Sequence, residues 1–552
     1  MGFAALRMIV SIATLAASAG LQLLPEPADA KVASLVVRTR QGMLRGLASG
    51  DVIEFRGVPY AAPPIGERRF EPPEGARTWS GVRRADRFAP TCVQGATGEE
   101  DCLYLNVTRP RGAYPSKLPV MVWLHGGGFS VGTPNTYDAS ELSARGRVIV
   151  VSVAFRLNAF GLMSLPGMSG AGSLLLQDQQ AALQWVKRNI AAFGGDPRNV
   201  TLFGESGGAI GACGQMASPA ARTLFHKAIL QSGSCSTGFE ADFVARGAPA
   251  GAYFMPFEET VRVSVDVARR LGCAPAAATA ILRCLKRLNA TAFAKEAGRF
   301  IGAAFGTPTL PLAPSTALGL GQGARIPVLT GFTHREGLAM VAGMQWAGQP
   351  MTEGEIPHVM SRAFGQRANM VSASYPLARY GGRGDLAWAD VITDRMFACP
   401  QLFDAQAMAK TQPVFAYEFA DPEGAGLIPM PPNLPAGASH SSDLPLLFKL
   451  ADGPIDLKTG KTIARSPAQQ GLSVRMIDAW SRFAWRGRPS GTGTGPAGWP
   501  RFDGRGDSVR WLAPDGFTRL SPGALDAHHC GLWRAIMGAG GPSAPWVRVD
   551  AR

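Results

Sequence analysis

The chain reads as an α/β protein: a large, mostly parallel central sheet with helices on both faces and further helices forming a cap or wall. Three observations predict this. From about residue 117 onward, short β-rich runs alternate with helical stretches, the pattern of a sheet whose strands are joined by packed helices. The apolar run Val200-Thr201-Leu202-Phe203 leads directly into Gly204-Glu205-Ser206-Gly207-Gly208 and then a small-residue segment from Ala209 to Ala217. A second apolar run, Pro119 to Leu124, ends in His125-Gly126-Gly127-Gly128. A strand, a sharp turn and a helix would place Ser206 on a nucleophile elbow, with the glycine-rich stretch as its oxyanion loop. Two halves of one catalytic device, in this order, point to a serine ester hydrolase.

Taken in chain order, the N-terminus comes first. Met1 to Arg7 carries one positive charge, Met8–Leu24 is apolar and small, and Ala28-Asp29-Ala30 offers a cleavage site before Lys31. Residues 1–30 therefore read as a secretory signal peptide, with Ala17-Ser18-Ala19 a second place to cut. Residues 31–537 are expected to form one catalytic domain, and 538–552 a C-terminal tail. Leu35–Arg56 has the glycine punctuation of antiparallel hairpins. Strands are expected at Val148–Ala154, Val200–Phe203, Ala228–Gln231, Pro327–Thr330 and Val414–Phe419. Asp178–Asn189 is expected to be a helix, because Leu183, Val186 and Ile190 recur at helical spacing. Residues 236–325 and 340–410 are Ala-rich and helix-like and would wall or cap the site. Gly491–Gly498 reads as a surface loop.

Composition narrows the function classes. The 552 residues are 46% hydrophobic and 17% charged, which is ordinary for a globular protein. The net charge is +14, but the arginines are scattered and no nucleic-acid motif accompanies them. Beyond the N-terminus no segment is apolar enough to span a bilayer, so stable membrane insertion after signal cleavage is not expected. Eight cysteines in an exported chain invite pairing. Cys92 with Cys102, Cys273 with Cys284, and Cys399 with Cys530 are the candidate disulfides, whereas Cys213 and Cys235 read as free buried thiols. Histidines do not accompany the cysteines at zinc-site spacing, and no metal is expected.

Several stretches together resemble the type B carboxylesterase family of α/β-hydrolases, which includes cholinesterases and para-nitrobenzyl esterases. They are Phe55-Arg56-Gly57-Val58-Pro59-Tyr60-Ala61, Glu100 to Val107 (Glu-Asp-Cys-Leu-Tyr-Leu-Asn-Val), Phe193-Gly194-Gly195-Asp196-Pro197, and the Trp480, Phe483-Ala484 and Trp499-Pro500 landmarks. The resemblance covers roughly residues 33–535 and implies the α/β-hydrolase fold, the same three cysteine pairs, no cofactor, and a small-molecule ester as substrate. Two framework positions depart from the family: its Asn-Tyr-Arg is Ala154-Phe155-Arg156, and its Gly-Asn-x-Gly-Leu is Gly172-Ser173-Leu174-Leu175-Leu176. The short loop between Cys92 and Cys102 lacks the family's choline-stacking Trp, which argues against acetylcholine. Nothing in the chain specifies an oligomeric state.

A serine needs a base, and the base needs a carboxylate to fix its tautomer and stabilise its cation. Of seven histidines, His440 lies in Gly437-Ala438-Ser439-His440-Ser441-Ser442-Asp443, which resembles the family's catalytic-histidine loop. Glu336 follows the strand ending at Thr330 in the Glu-Gly context of the family's acid. Asp443 is the competitor and is better read as ordering the loop. The expected triad is therefore Ser206, Glu336 and His440, with backbone N–H groups of Gly127, Gly128 and Gly207 as the oxyanion hole. Glu205 and Ser232 are expected behind these groups, Ser232 as a candidate to hold Glu336. Phe239 is a candidate wall for the acyl pocket. Neutral short esters and anionic polycarboxylate esters are both open as substrates. A catalytically silent adhesion relative and an interfacial lipase are the competing readings.

Overall fold

The computed structural model describes residues 35–112, 114, 116–274, 277–451, 453–456, 461–490, 498–516, 519–521 and 523–538. The expected signal peptide, the tail beyond residue 538 and nearly all of the Gly491–Gly498 loop lie outside the described residues.

A ten-stranded sheet organises the molecule. Its strands in chain order are β1 (Leu47–Ser49), β2 (Val52–Pro59), β3 (Tyr104–Pro110), β4 (Leu118–Leu124), β5 (Ile149–Val153), β6 (Gly195–Glu205), β7 (Lys227–Gln231), β8 (Val328–Thr333), β9 (Val414–Phe419) and β10 (Arg510–Leu512). In space they run β1-β2-β3-β5-β4-β6-β7-β8-β9-β10. The β1/β2, β2/β3 and β3/β5 pairs are antiparallel, and every later pair is parallel. The expected hairpins and the expected central strands both occur, with ends shifted by a few residues.

The central strands read as unbroken apolar runs because both faces of the sheet are covered. Side chains alternate between two cores. On β4, Val120, Val122 and Leu124 enter the larger core, and Met121 and Trp123 the smaller. On β5 and β6 the same split puts Ile149, Val151 and Leu202 on one side and Val150 and Phe203 on the other.

Helices fill each face. They are α1 (Ser140–Gly146), α2 (Leu174–Asn189), α3 (Gly207–Ala217), α4 (Gly337–Trp346), α5 (Gly384–Ile392), α6 (Cys399–Ala409), α7 (Pro467–Arg486) and α8 (Cys530–Met537), with others in the wall segments. The smaller core is closed chiefly by α7. Its Leu472, Met476, Ile477, Trp480 and Phe483 fall on one stripe at helical spacing. Ser466 and Gln469 form a capping box at its start, and Gly487 ends it in the left-handed conformation.

Four disulfides are formed: Cys92–Cys102, Cys213–Cys235, Cys273–Cys284 and Cys399–Cys530. Three match the expected pairs. The fourth corrects the expectation of free thiols at Cys213 and Cys235. Cys213 lies on α3 and Cys235 in the loop after β7, and the packing of α3 beside β7 brings their Cα atoms to 5.3 Å.

The departure at Ala154-Phe155-Arg156 is accommodated by packing. Phe155 stacks on His125 with ring centroids 4.3 Å apart. Arg156 is buried and pairs with fully buried Asp178 on α2, Nη2 to Oδ1 at 2.7 Å and Nε to Oδ2 at 2.8 Å. The Arg156 backbone N–H also donates to Asp178, and Nη1 donates to the Glu71 carbonyl. Removing one partner would strand a charge in a dry interior. We therefore expect Asp178→Ala to cost about 3–5 kcal/mol, measured by urea denaturation of the full chain. A loss below about 1 kcal/mol would mean that the pair is not fully desolvated.

Candidate active site

The site lies at the C-terminal ends of the parallel strands, where β6 turns sharply into α3. Ser206 sits on that turn with φ 54° and ψ −123°, a strained conformation for a residue with a Cβ. Its N–H donates to the Gln231 carbonyl at 2.8 Å, and its carbonyl accepts from Ile210 at 3.0 Å, so both neighbours hold the turn. The close packing explains one glycine directly. A Cβ on Gly208 would lie 1.9 Å from the Leu124 carbonyl oxygen, so no other residue fits where α3 crosses the end of β4. The Ser206 hydroxyl has no hydrogen-bond partner among the described residues and lies partly exposed at the elbow.

The glycine loop after β4 folds back over the elbow. Gly128 N lies 2.9 Å from where a Cβ on Gly207 would stand. The N–H groups of Gly127, Gly128 and Gly207 meet no protein acceptor among the described residues, so they remain free to bind an oxyanion. His125 is buried at the root of this loop, where burial pushes its pKa down to about 4, and its Nδ1 lies 2.9 Å from the Gly126 carbonyl. It is a neutral packing residue there.

His440 and Glu336 meet beside the elbow, although 104 positions separate them. His440 Nδ1 is 2.6 Å from Glu336 Oε2, and Glu336 is fully buried. The other oxygen of Glu336 accepts the Thr333 N–H at 2.7 Å. Ser232 does not hold Glu336. Its hydroxyl is buried without a hydrogen-bond partner among the described residues.

Glu205 links the histidine loop to the elbow. Its Oε1 lies 3.2 Å from His440 Nε2 and accepts the Ser441 hydroxyl at 2.7 Å. The absent side chain at Gly126 makes room for it, since a Cβ there would lie 2.5 Å from Glu205 Oε2. Burial raises the Glu205 pKa to about 7, against the opposing pull of His440. Burial alone would lower the His440 pKa, but the carboxylates of Glu205 and Glu336 outweigh it and raise it to about 9. Asp443 points away from the imidazole contact, accepting from Gln231 Nε2 at 2.8 Å, and burial raises its pKa to about 6.

Aromatic rings line the surroundings. Phe397 packs on His440 with centroids 4.8 Å apart. Buried Phe239 meets Tyr253 edge-on at 5.9 Å, and the Tyr253 hydroxyl lies 3.2 Å from where a Cβ on Gly128 would stand. Sequence reasoning missed Thr333, Ser441, Tyr253 and Phe397. Ser441 and Thr333 flank already suspected residues and could have been suggested by adjacency. Nothing local marks Phe397, which arrives on a π-helical turn, Thr393–Ala398, far away in the chain.

The profile of the Carboxylesterase family matches residues 33–518. The chain is 32% identical to the para-nitrobenzyl esterase of Bacillus subtilis (strain 168) over 486 residues, covering 85% of this chain and 92% of that protein. It is 29% identical to the cholinesterase of Mus musculus, covering 90% and 86% of the two chains. Carboxylesterase 1D of Rattus norvegicus is 30% identical, with 83% and 85% covered.

The elbow geometry generates a test of its own. Gly208→Ala must displace either α3 or the end of β4, and with it Ser206. Its kcat/KM on a para-nitrophenyl ester is expected to fall by about 100-fold or more, the effect of a displacement near 1 Å. A rate equal to that of the unsubstituted chain would show that the elbow tolerates the movement.

Proposed function

The chain belongs to the Carboxylesterase family and is a carboxylic ester hydrolase, and from this premise we propose that it works through a Ser206–His440–Glu336 triad. One observation carries the assignment: the 2.6 Å contact between buried Glu336 and His440 Nδ1, with Nε2 3.2 Å from Oε1 of Glu205, the residue before Ser206. Glu336 keeps the Nδ1–H tautomer, which leaves Nε2 to take a proton. His440 Nε2 accepts the Ser206 proton as Oγ attacks the ester carbonyl. The carbonyl oxygen becomes an oxyanion held by the N–H groups of Gly127, Gly128 and Gly207, each donor worth on the order of 2.7–4 kcal/mol. The tetrahedral adduct collapses, the C–O bond to the alcohol breaks, and His440-H⁺ protonates the departing alkoxide. Water then gives a proton to His440 as it attacks the acyl-enzyme. The second adduct collapses, the bond to Ser206 Oγ breaks, and His440-H⁺ returns the proton to Oγ as the carboxylic acid leaves.

The groups around the nucleophile favour a neutral ester. The carboxylates of Glu205, Glu336 and Asp443 all act on His440, and the rings of Phe239, Tyr253 and Phe397 are buried near the glycine loop and the imidazole. An anionic acyl group would meet negative charge there, so the positive net charge of the chain acts at long range only. We further propose that residues 1–30 direct export, with residues 31–537 forming the catalytic domain. Four disulfides support an oxidising destination, the periplasm or the medium. Among the described residues no helix is long and apolar enough to cross a membrane.

A fluorophosphonate should label Ser206 covalently and Ser206→Ala should abolish both labelling and turnover. Glu336→Gln is expected to fold and to lose kcat by a factor on the order of 10⁴, as when the carboxylate behind a catalytic histidine becomes an amide. An active Glu336→Gln enzyme would remove Glu336 from the triad. The pH profile tests Glu205. Since His440 must be neutral to act as base, and two carboxylates raise its pKa, activity should climb with pH as the imidazole loses its proton. Glu205→Gln removes one of those charges, so the acid limb of kcat/KM should move to lower pH. A limb that stays in place would mean that Glu205 is uncharged throughout the working range.

A further inference from the structure

Three of the seven histidines gather away from the elbow, around two buried carboxylates. His334 leaves the end of β8, Glu418 stands on β9, and His528 precedes α8. One ligand atom from each lies within 4.8 Å of the other two. Glu418 Oε1 receives both rings, His334 Nδ1 at 2.6 Å and His528 Nε2 at 3.0 Å. Two imidazole nitrogens and one carboxylate oxygen converging in this way are the donor set that zinc takes in sites with an open fourth position. We propose that His334, Glu418 and His528 form a binding site for a borderline divalent cation, Zn²⁺ in the first instance, separate from the hydrolytic chemistry.

The surroundings are built as such a site requires. A histidine that ligates zinc donates its other N–H to a carboxylate, which fixes the tautomer and turns the free nitrogen inward. His528 Nδ1 is 2.6 Å from Asp394 Oδ1. Asp394 is held in turn by the Tyr375 hydroxyl at 2.6 Å and by His529 Nδ1 at 3.2 Å, and Trp533 Nε1 donates to Tyr375. Glu418 is held from its other side, where Oε2 accepts the Ser521 hydroxyl at 2.6 Å, so an ion would take Oε1 in place of its two present imidazole contacts. The His528 and Glu418 side chains are almost fully buried, whereas that of His334 is 45% exposed, which provides both an entry path and room for a water ligand. Tetrahedral bonds near 2.1 Å place ligand atoms about 3.4 Å apart, so from 2.6 Å and 3.0 Å the His334 and His528 nitrogens must draw back from Glu418 Oε1 to admit the ion.

The position has a structural consequence. The His334 N–H donates to the Phe419 carbonyl and the Arg335 N–H to the Ala438 carbonyl, so this turn ties β9 to the loop that carries His440. An ion there would pin that turn to the C-terminal segment already anchored by Cys399–Cys530. No sequence motif marks the site, because its ligands come from three remote segments.

The test uses the full, disulfide-bonded chain without a histidine tag, stripped with EDTA and titrated with ZnCl₂ by calorimetry, and with CoCl₂ followed by visible absorption. One Zn²⁺ per chain is expected, with proton release on binding, a higher melting temperature at saturating Zn²⁺, and Co²⁺ d–d bands of low-coordinate N/O ligation. Ser521→Ala should weaken Zn²⁺ binding about 10-fold and His334→Ala about 100-fold or more. The half-exposed position of His334 keeps that variant foldable, which circular dichroism checks. Absence of saturable binding to the unsubstituted chain, or equal affinity in folded His334→Ala, would overturn the proposal.

Discussion

Everything at the candidate active site depends on one electrostatic constraint: an imidazole buried between two carboxylates. Glu336 and Glu205 face opposite nitrogens of His440, in an interior where an uncompensated charge would be costly. Each carboxylate therefore needs further donors, and these donors are what join the loops. Thr333 N–H satisfies Glu336, and the Ser441 hydroxyl satisfies Glu205. Ser441 follows His440, so the hydrogen bond that satisfies Glu205 also fixes the histidine loop against the elbow. Satisfying that carboxylate and placing the loop are one arrangement.

A second constraint is steric. The elbow works only if α3 can start against the end of β4, and Gly208 leaves no space for a Cβ there. The same approach brings the glycine loop over Gly207, so the strain at Ser206 and the free N–H groups of the loop share one cause. The rigid sheet beneath absorbs that strain.

The π-helical turn Thr393–Ala398 joins the candidate active site to the histidine cluster behind it. Thr393 Oγ1 accepts the Gly337 N–H at the start of α4, Phe397 packs on His440, and Asp394 holds His528. An extra residue in a helical turn shifts the side chains that follow, which lets one short segment serve two neighbouring clusters. Restraint applied at the cluster would therefore reach the turn that carries Glu336.

The fold and the strained turn at Ser206 were legible because their signals are local. Apolar runs alternate with helical periodicity, and Ser206 and its glycines announce a strained turn within five residues. Glu336 and His440 were singled out with the help of family resemblance at their own loops, and their side chains meet at 2.6 Å. Three disulfides could be paired from short spacings and a distant C-terminal cysteine. What the sequence left open depends on atoms brought together from afar. Cys213 and Cys235 looked like separate thiols, yet α3 packs beside β7. Ser232 looked placed to support Glu336, yet its buried hydroxyl makes no hydrogen bond among the described residues. The composition of the chain, its alternation of strands and helices and the glycine-flanked turn at Ser206 were determined residue by residue along the sequence. Which side chain completes each buried charge was decided only in three dimensions, because that choice depends on distances of a few ångströms across the fold.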